Sequence, residues 1–127
     1  MKGTKPRLRA ENADIPGNTP APGWLSKEAR KEWDRVIPIL TERRILTVAD
    51  LGGLENYCIC IGRVRETEAD IQGTTDAELR VKLFRVQDKA MASARLLAAE
   101  LGLTPVSRSR PAIREDDKGG EDDPLDC

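Results

Sequence analysis

Two long segments of this chain repeat their apolar residues with the spacing of an α-helix, and this periodicity constrains the fold more than any other feature. Apolar side chains three or four residues apart form one stripe on a helix, which another element must cover. The segments span about residues 47–72 and 75–101, with a short polar break between them. Such a short connection predicts an antiparallel helical hairpin. The stripe residues, which we expect in the core or in a subunit interface, are Leu51, Leu54, Cys58, Ile61, Leu79, Leu83, Val86, Leu97 and Leu101.

Local signals mark the start of the first long segment. Thr47 is suited to cap the helix and Asp50 to return the hydrogen bond as a capping box, while Leu46 can pack on the first turn as a hydrophobic staple. Gly52 and Gly53 each cost about 1 kcal/mol relative to alanine inside a helix. These two glycines therefore suggest a close approach of another helix.

The polar break and the end of the hairpin carry their own signals. Gly73 suits a left-handed helix end, and Thr75 with Glu78 predicts a capping box for the next helix. Gly102 followed by Pro105 predicts the stop of that helix. These signals delimit two arms of similar length.

A shorter helix is predicted at about residues 26–43, before the hairpin. Ser26 can cap it, because a serine hydroxyl accepts hydrogen bonds from the free N–H groups of a first turn. Pro38 lacks an N–H and clashes with the carbonyl four residues back, so we expect a kink or a break before it. Trp24 and Trp33 are the only two tryptophans. We expect both to anchor this helix to the hairpin.

Composition agrees with an all-α fold of a single domain. Aromatic residues make up 3% of the 127 residues and hydrophobic residues 39%, so the apolar content is mostly aliphatic and suits packed helices. We place the helical domain at residues 24–103. The flanking residues 1–23 and 104–127 are rich in proline, glycine or charge, and we expect them to be flexible. The first flank is basic, and the second changes from basic to acidic.

One helical hairpin leaves apolar residues outside its main stripe, among them Phe84, Met91 and Leu96. The first helix can cover some of this surface. The remainder favours self-association, since a bundle or ring of subunits buries apolar stripes on both sides of a helix pair. A monomeric three-helix bundle is the alternative.

The residue types present argue against catalysis. The chain has no histidine, which excludes Ser-His and Cys-His nucleophiles, and no glycine-rich phosphate loop precedes a helix. Cys58, Cys60 and Cys127 cannot all pair, and we expect reduced thiols. We therefore expect no catalytic site, metal, cofactor or small-molecule substrate. No segment is apolar enough for a membrane span or a secretion signal, so we expect a cytoplasmic protein without a membrane partner.

Clusters of arginine and lysine are the candidate binding residues. They lie in the basic flank, at the turn before the hairpin and directly after the hairpin. Basic side chains neutralise phosphates, and no aromatic residues interleave with them, which favours contact with the duplex backbone over base stacking. Ordinary solubility charge is the alternative. The candidates are Lys2, Lys5, Arg7, Arg9, Arg43, Arg44, Arg108, Arg110 and Arg114.

Taken together, these segments resemble the small subunit of tailed-phage DNA-packaging terminases. The resemblance covers roughly residues 20–110, and its specific parts are the opening WLSKEARKEW and the closing LGLTPVSRSR. It implies a non-catalytic oligomer, commonly a ring, that recognises the packaging site on double-stranded viral DNA. It also implies a partner, the large subunit with the ATPase and nuclease, and a location in the cytoplasm of the infected bacterial host.

Two other functions are compatible with the same residues. A helical protein–protein scaffold would use the basic flanks only for solubility. A small transcription regulator would bind a short palindrome as a dimer. The acidic run after residue 114 could keep the basic residues off non-specific DNA or bind a basic surface of the large subunit.

Overall fold

The computed structural model describes residues 15–43 and 46–104, and within these ranges the protein contains helices and no strand. Helix α1 spans Lys27–Glu42, a 3-10 turn spans Val48–Asp50, α2 spans Leu51–Gly73 and α3 spans Ala77–Glu100. The all-α prediction is confirmed. The expectations for residues 1–14 and 105–127 lie outside the described residues.

Helix α1 begins at the predicted cap. The Ser26 hydroxyl accepts a hydrogen bond from the Ala29 N–H at 3.3 Å, and the residues before it lie along the helix, with Ile15 buried. Trp33 is buried and donates from its indole nitrogen to the Thr19 carbonyl at 2.9 Å. The folded part therefore extends further towards the N-terminus than the boundary expected at residue 24.

Trp24 is 64% exposed and does not anchor the helix, so that expectation is wrong. Of the kink or break expected before Pro38, the break is absent, since α1 continues to Glu42. Thr41 donates from its hydroxyl to the Ile37 carbonyl at 2.8 Å, a bond from a threonine side chain to the carbonyl four residues back in the last turn of α1.

The start of α2 follows the predicted pattern with one difference in the backbone. The Asp50 carboxylate accepts from both the N–H and the hydroxyl of Thr47, each at 3.0 Å. This turn is a 3-10 helix that leads into α2 at Leu51. Leu46 is buried in the core and Leu51 packs against the same cluster, as the predicted staple requires.

The connection between α2 and α3 differs from the expectation. Asp76, not Thr75, is the N-cap of α3, and its carboxylate accepts from the N–H groups of Glu78 at 3.0 Å and Leu79 at 3.3 Å. Gly73 is the last residue of α2 and has no left-handed conformation. An aspartate satisfies two free N–H groups of the first turn at once, and its negative charge is favourable at a helix N-terminus.

Helices α2 and α3 form the predicted antiparallel hairpin. The side-chain amide of Gln87 in α3 donates to the Val64 carbonyl at 3.3 Å and to the Glu68 carboxylate at 2.9 Å, both in α2. Helix α2 also packs against α1, whereas α1 and α3 have no helix–helix contact in the described residues. Helix α2 is therefore the central element.

The close approach between helices uses a different glycine from the two singled out in the sequence. A Cβ added to Gly62 would lie 3.0 Å from the backbone nitrogen of Ala29, so α1 and α2 touch at this point. A Cβ added to Gly52 or Gly53 would meet nothing within 4 Å, and the expectation for those two residues is wrong.

Helix α3 ends at Glu100, and Gly102, the predicted stop residue, follows two positions later with φ 76. The N–H of Leu103 donates to the Ala98 carbonyl at 2.8 Å, and that of Gly102 donates to the Ala99 carbonyl at 3.1 Å. This pair of bonds is a Schellman motif, which requires the left-handed conformation that glycine adopts without strain. None of the described helices is long and apolar enough to cross a membrane.

Candidate DNA-contact and assembly surfaces

A buried carboxylate holds α1 and α2 together. Glu32 lies on α1, half of whose residues are charged, and is 1% exposed. Its oxygens accept from Arg35 Nη2 at 2.6 Å, from Arg65 Nη2 at 2.7 Å and from the Tyr57 hydroxyl at 2.6 Å. Arg35 also donates from Nε to the oxygen that Arg65 contacts, at 3.0 Å. We name these four residues the Glu32 cluster.

The Glu32 cluster keeps its carboxylate ionised. Burial acts to raise the pKa of Glu32, but the hydrogen bonds from Arg35, Tyr57 and Arg65 and the charge of Arg35 outweigh burial and hold this pKa below its usual value. Burial, together with the bond to Glu32, raises the pKa of the Tyr57 phenol. Tyr57 is therefore a donor and Glu32 an acceptor throughout the neutral pH range.

Cys58 adjoins this cluster in the core. Burial, and secondly the negative charge of Glu32, raises the pKa of its thiol to about 12. A thiol with this pKa is a poor nucleophile at neutral pH, because the thiolate is the reactive form. In the part of the chain that the structure describes, no three His, Cys, Asp or Glu side chains are grouped so that they could hold a metal ion.

The structure divides the predicted stripe residues into three groups by burial. Leu54 and Cys58 are fully buried, whereas Leu79 is 43% exposed and Val86 is 50% exposed. The remaining five are half-buried: Leu51, Ile61, Leu83, Leu97 and Leu101. Their role in a subunit interface stays a prediction.

Most of the predicted DNA-binding residues lie outside the described residues. Arg43 is described, and its Nη1 donates to the Gly102 carbonyl at 3.1 Å, which ties the end of α1 to the end of α3. The contact uses one N–H of the guanidinium, and the residue is exposed. The others are Lys2, Lys5, Arg7, Arg9, Arg44, Arg108, Arg110 and Arg114.

Helix α3 exposes apolar side chains on two opposite flanks. On one flank, Met91 lines a groove of about 310 Å³ together with Tyr57 and Ile61 of α2. On the other flank, Val86 lines a second groove of about 310 Å³ with Cys60 of α2. The large apolar residues of α3 that are more than 40% exposed are Leu79, Val81, Phe84, Val86, Met91 and Leu96.

Polar bonds join the two arms of the hairpin near the middle of α3. Glu68 accepts from Gln87 and, at 2.7 Å, from Gln72. These bonds hold the pKa of Glu68 below its usual value. A polar contact of this kind sets the register of the arms, since a shift would leave the buried Gln87 amide without its acceptors.

The described structure is thus an antiparallel hairpin packed against α1, with unreactive buried groups and exposed apolar residues on two flanks of α3. The family described as phage terminase, small subunit, matches residues 29–118. The chain belongs to this family. The match covers all of α2 and α3 and most of α1. No curated protein and no solved structure matches the chain.

Membership assigns this terminase small subunit a role in phage DNA packaging. The family is generally non-catalytic. The Glu32 cluster lies within the matched range, but no motif in the sequence pointed to it. The available signal was the position of Glu32 on the apolar stripe of α1, between Ala29, Trp33 and Val36, where a carboxylate must find buried partners.

Proposed function

We propose that this terminase small subunit is a non-catalytic oligomer, and specifically a ring, that binds viral genomic DNA at the packaging site. It recruits and regulates the large subunit, which carries the ATPase and nuclease, in the cytoplasm of the infected bacterial host. Family membership over residues 29–118 is the observation that carries this proposal.

The two apolar flanks of α3 support an oligomer with closed rotational symmetry. Met91 and Phe84 lie on one flank, and Leu79 and Val86 lie on the other. When two different patches of one chain meet, each copy can bind two neighbours head to tail, which gives a ring if the rotation closes. A dimer about a two-fold axis would use one flank and leave the other exposed.

Basic residues on either side of the hairpin support a non-specific, electrostatic contribution to the affinity for DNA. The N-terminal segment has Lys2, Lys5, Arg7 and Arg9 without an acidic residue among its first ten positions. Each phosphate neutralised by such a side chain releases counterions, so the affinity must fall with salt.

Two measurements on the full chain test the proposal. Native mass spectrometry should give a single closed assembly larger than a dimer. Titration of mixed-sequence duplex DNA should give a log–log slope of affinity against salt of about −4 to −5 per bound chain, if four to six cations replace counterions. A stable monomer, or no binding to duplex DNA at low salt, contradicts it.

A further inference from the structure

The Glu32 cluster is asymmetric in its exposure to solvent. The Glu32 side chain is 1% exposed, while that of Arg35 is 56% exposed and that of Arg65 is 39% exposed. Hydration of the two guanidinium groups lowers the desolvation cost of the ion pairs and leaves their outer sides accessible. Here the carboxylate lies beneath two guanidinium groups that reach solvent.

Both guanidinium groups retain free donors. A guanidinium carries five N–H groups, and among residues 15–43 and 46–104 the protein acceptors engage only Nε and Nη2 of Arg35 and Nη2 of Arg65. Because Arg35 and Arg65 share one Glu32 oxygen, their separation and orientation are fixed before any partner arrives. Counted together with Glu32, the pair carries one net positive charge.

We propose that Arg35 and Arg65 form a paired contact for the phosphate backbone of duplex DNA. This inference rests on the proposed DNA-binding function and names residues of the folded domain, in addition to the basic residues outside it. Arginine suits this role, since its planar fork donates to phosphate oxygens, and side chains already held in place lose little entropy on binding. Glu32 and Tyr57 are positioning residues in this arrangement.

The surroundings of the pair favour the backbone of a duplex over single strands. The Tyr57 ring is 5% exposed and offers no face on which a base could stack. Lys31, one turn before Arg35 on α1, has a side chain 58% exposed and adds a further cation beside its partner Glu28. Electrostatic contacts with phosphates position a duplex but do not distinguish one base from another. No aromatic side chain of the Glu32 cluster is exposed to stack on a base or to insert into a groove.

Arg65→Gln is the direct test, because it removes one cation and leaves Arg35 and Tyr57 on Glu32. We expect the affinity of the full chain for a mixed-sequence duplex to fall about five- to ten-fold at 0.1 M salt, and the log–log salt slope to become shallower by about 0.9. Arg65→Lys retains the charge and should keep the wild-type slope. The readout is fluorescence anisotropy at several salt concentrations.

Arg85→Gln is the matched control. Arg85 is an exposed arginine on α3 that makes no hydrogen bond to the Glu32 cluster, so its loss removes an equal charge and leaves that cluster intact. We expect the wild-type slope for this variant. Thermal denaturation and native mass spectrometry of each variant establish that fold and assembly are retained before binding is compared.

The outcomes separate the two proposals. If the wild-type chain does not bind duplex DNA at low salt, the proposed DNA-binding function fails and this inference fails with it. If the wild-type chain binds and folded Arg65→Gln keeps its slope, only the paired contact is overturned. The paired contact alone is also overturned if Arg85→Gln loses as much slope as Arg65→Gln. It is overturned as well if Arg65→Gln keeps its binding to duplex DNA and loses only binding to an acidic protein, such as a large-subunit segment.

Discussion

At the scale of single residues, Glu32 combines a structural and a surface role. It is the buried acceptor for two cations and a phenol on two helices, so the packing of α1 on α2 and the positions of Arg35 and Arg65 depend on the same oxygen atoms. Buried ion pairs contribute little net stability compared with apolar packing, but removal of one partner is costly. Substitution of this residue should therefore have a larger effect than its charge alone suggests.

Glu32→Gln should lower the free energy of unfolding by about 2–3 kcal/mol, because the amide cannot serve all three donors and the charge that the arginines face is lost. Glu28→Gln is the control. It removes a carboxylate one turn earlier, from a surface pair with Lys31 at 3.4 Å, and should change stability by less than about 0.5 kcal/mol. Urea denaturation at fixed protein concentration measures both, and equal effects would contradict the role of Glu32.

The wild-type protein and the Glu32→Gln variant also test the pKa of Glu32. A carboxyl whose pKa is lower in the folded state contributes stability that is present above its pKa in the unfolded chain, about 4.3, and is lost as the pH falls through the folded value. Wild-type stability should therefore decline from about pH 5 downwards. The decline should be shallower in Glu32→Gln. If the stability of that variant declines as steeply as that of the wild type, other carboxylates cause the decline.

At the scale of helices, the sequence predicted which elements exist better than where they touch. Ser26 and the Thr47–Asp50 pair were recognisable because capping is a local interaction. The contact at Gly62 was not recognisable, since any of the four glycines in α2 could have faced α1 and only the packed structure decides between them. Trp24 was misassigned for the same reason: a large apolar residue favours burial, but its position before the cap leaves it outside the helix contact.

Gly62→Ala tests the helix contact. The added methyl group meets backbone and side-chain atoms of Ala29, which cannot yield without moving α1, and we expect a net loss of about 1–2 kcal/mol in unfolding free energy. Gly52→Ala and Gly53→Ala are matched controls in the same helix, with nothing within 4 Å of the new methyl group. They should gain up to about 1 kcal/mol each from helix propensity. A gain at Gly62 as well would refute the close approach, and thermal or urea denaturation compares all three.

At the scale of the whole molecule, the periodicity of the hairpin predicted the fold class, and the excess of apolar residues predicted an interface. Burial could not be assigned residue by residue, because Leu54 and Val86 occupy equivalent stripe positions and only one of them is covered in the single chain. In the proposed ring, the neighbour that covers Val86 is another copy of the chain. A single sequence does not specify that neighbour's position.

Phe84→Glu and Val86→Glu test head-to-tail assembly, since each places a charge on a different flank of α3. Either variant alone should be monomeric by native mass spectrometry, because every contact needs both flanks intact. A mixture of the two should form a heterodimer through the one remaining pair of intact flanks. Ala92→Glu adds the same charge at another exposed position of α3 and should keep the wild-type mass.

If each flank paired with itself, each variant alone would form a homodimer through its intact flank. A mixture that stays monomeric would contradict pairing of the two flanks with each other. If a variant keeps the mass of the wild-type assembly, the flank that carries its substitution is not part of the interface.

The bond from Arg43 to the Gly102 carbonyl brings together two ends that are 59 residues apart in the chain. The Schellman motif fixes the direction in which the backbone leaves α3 at the same corner. Two parts of the chain that look unrelated along the sequence therefore share one corner of the molecule, and loss of Arg43 would loosen both of them at once.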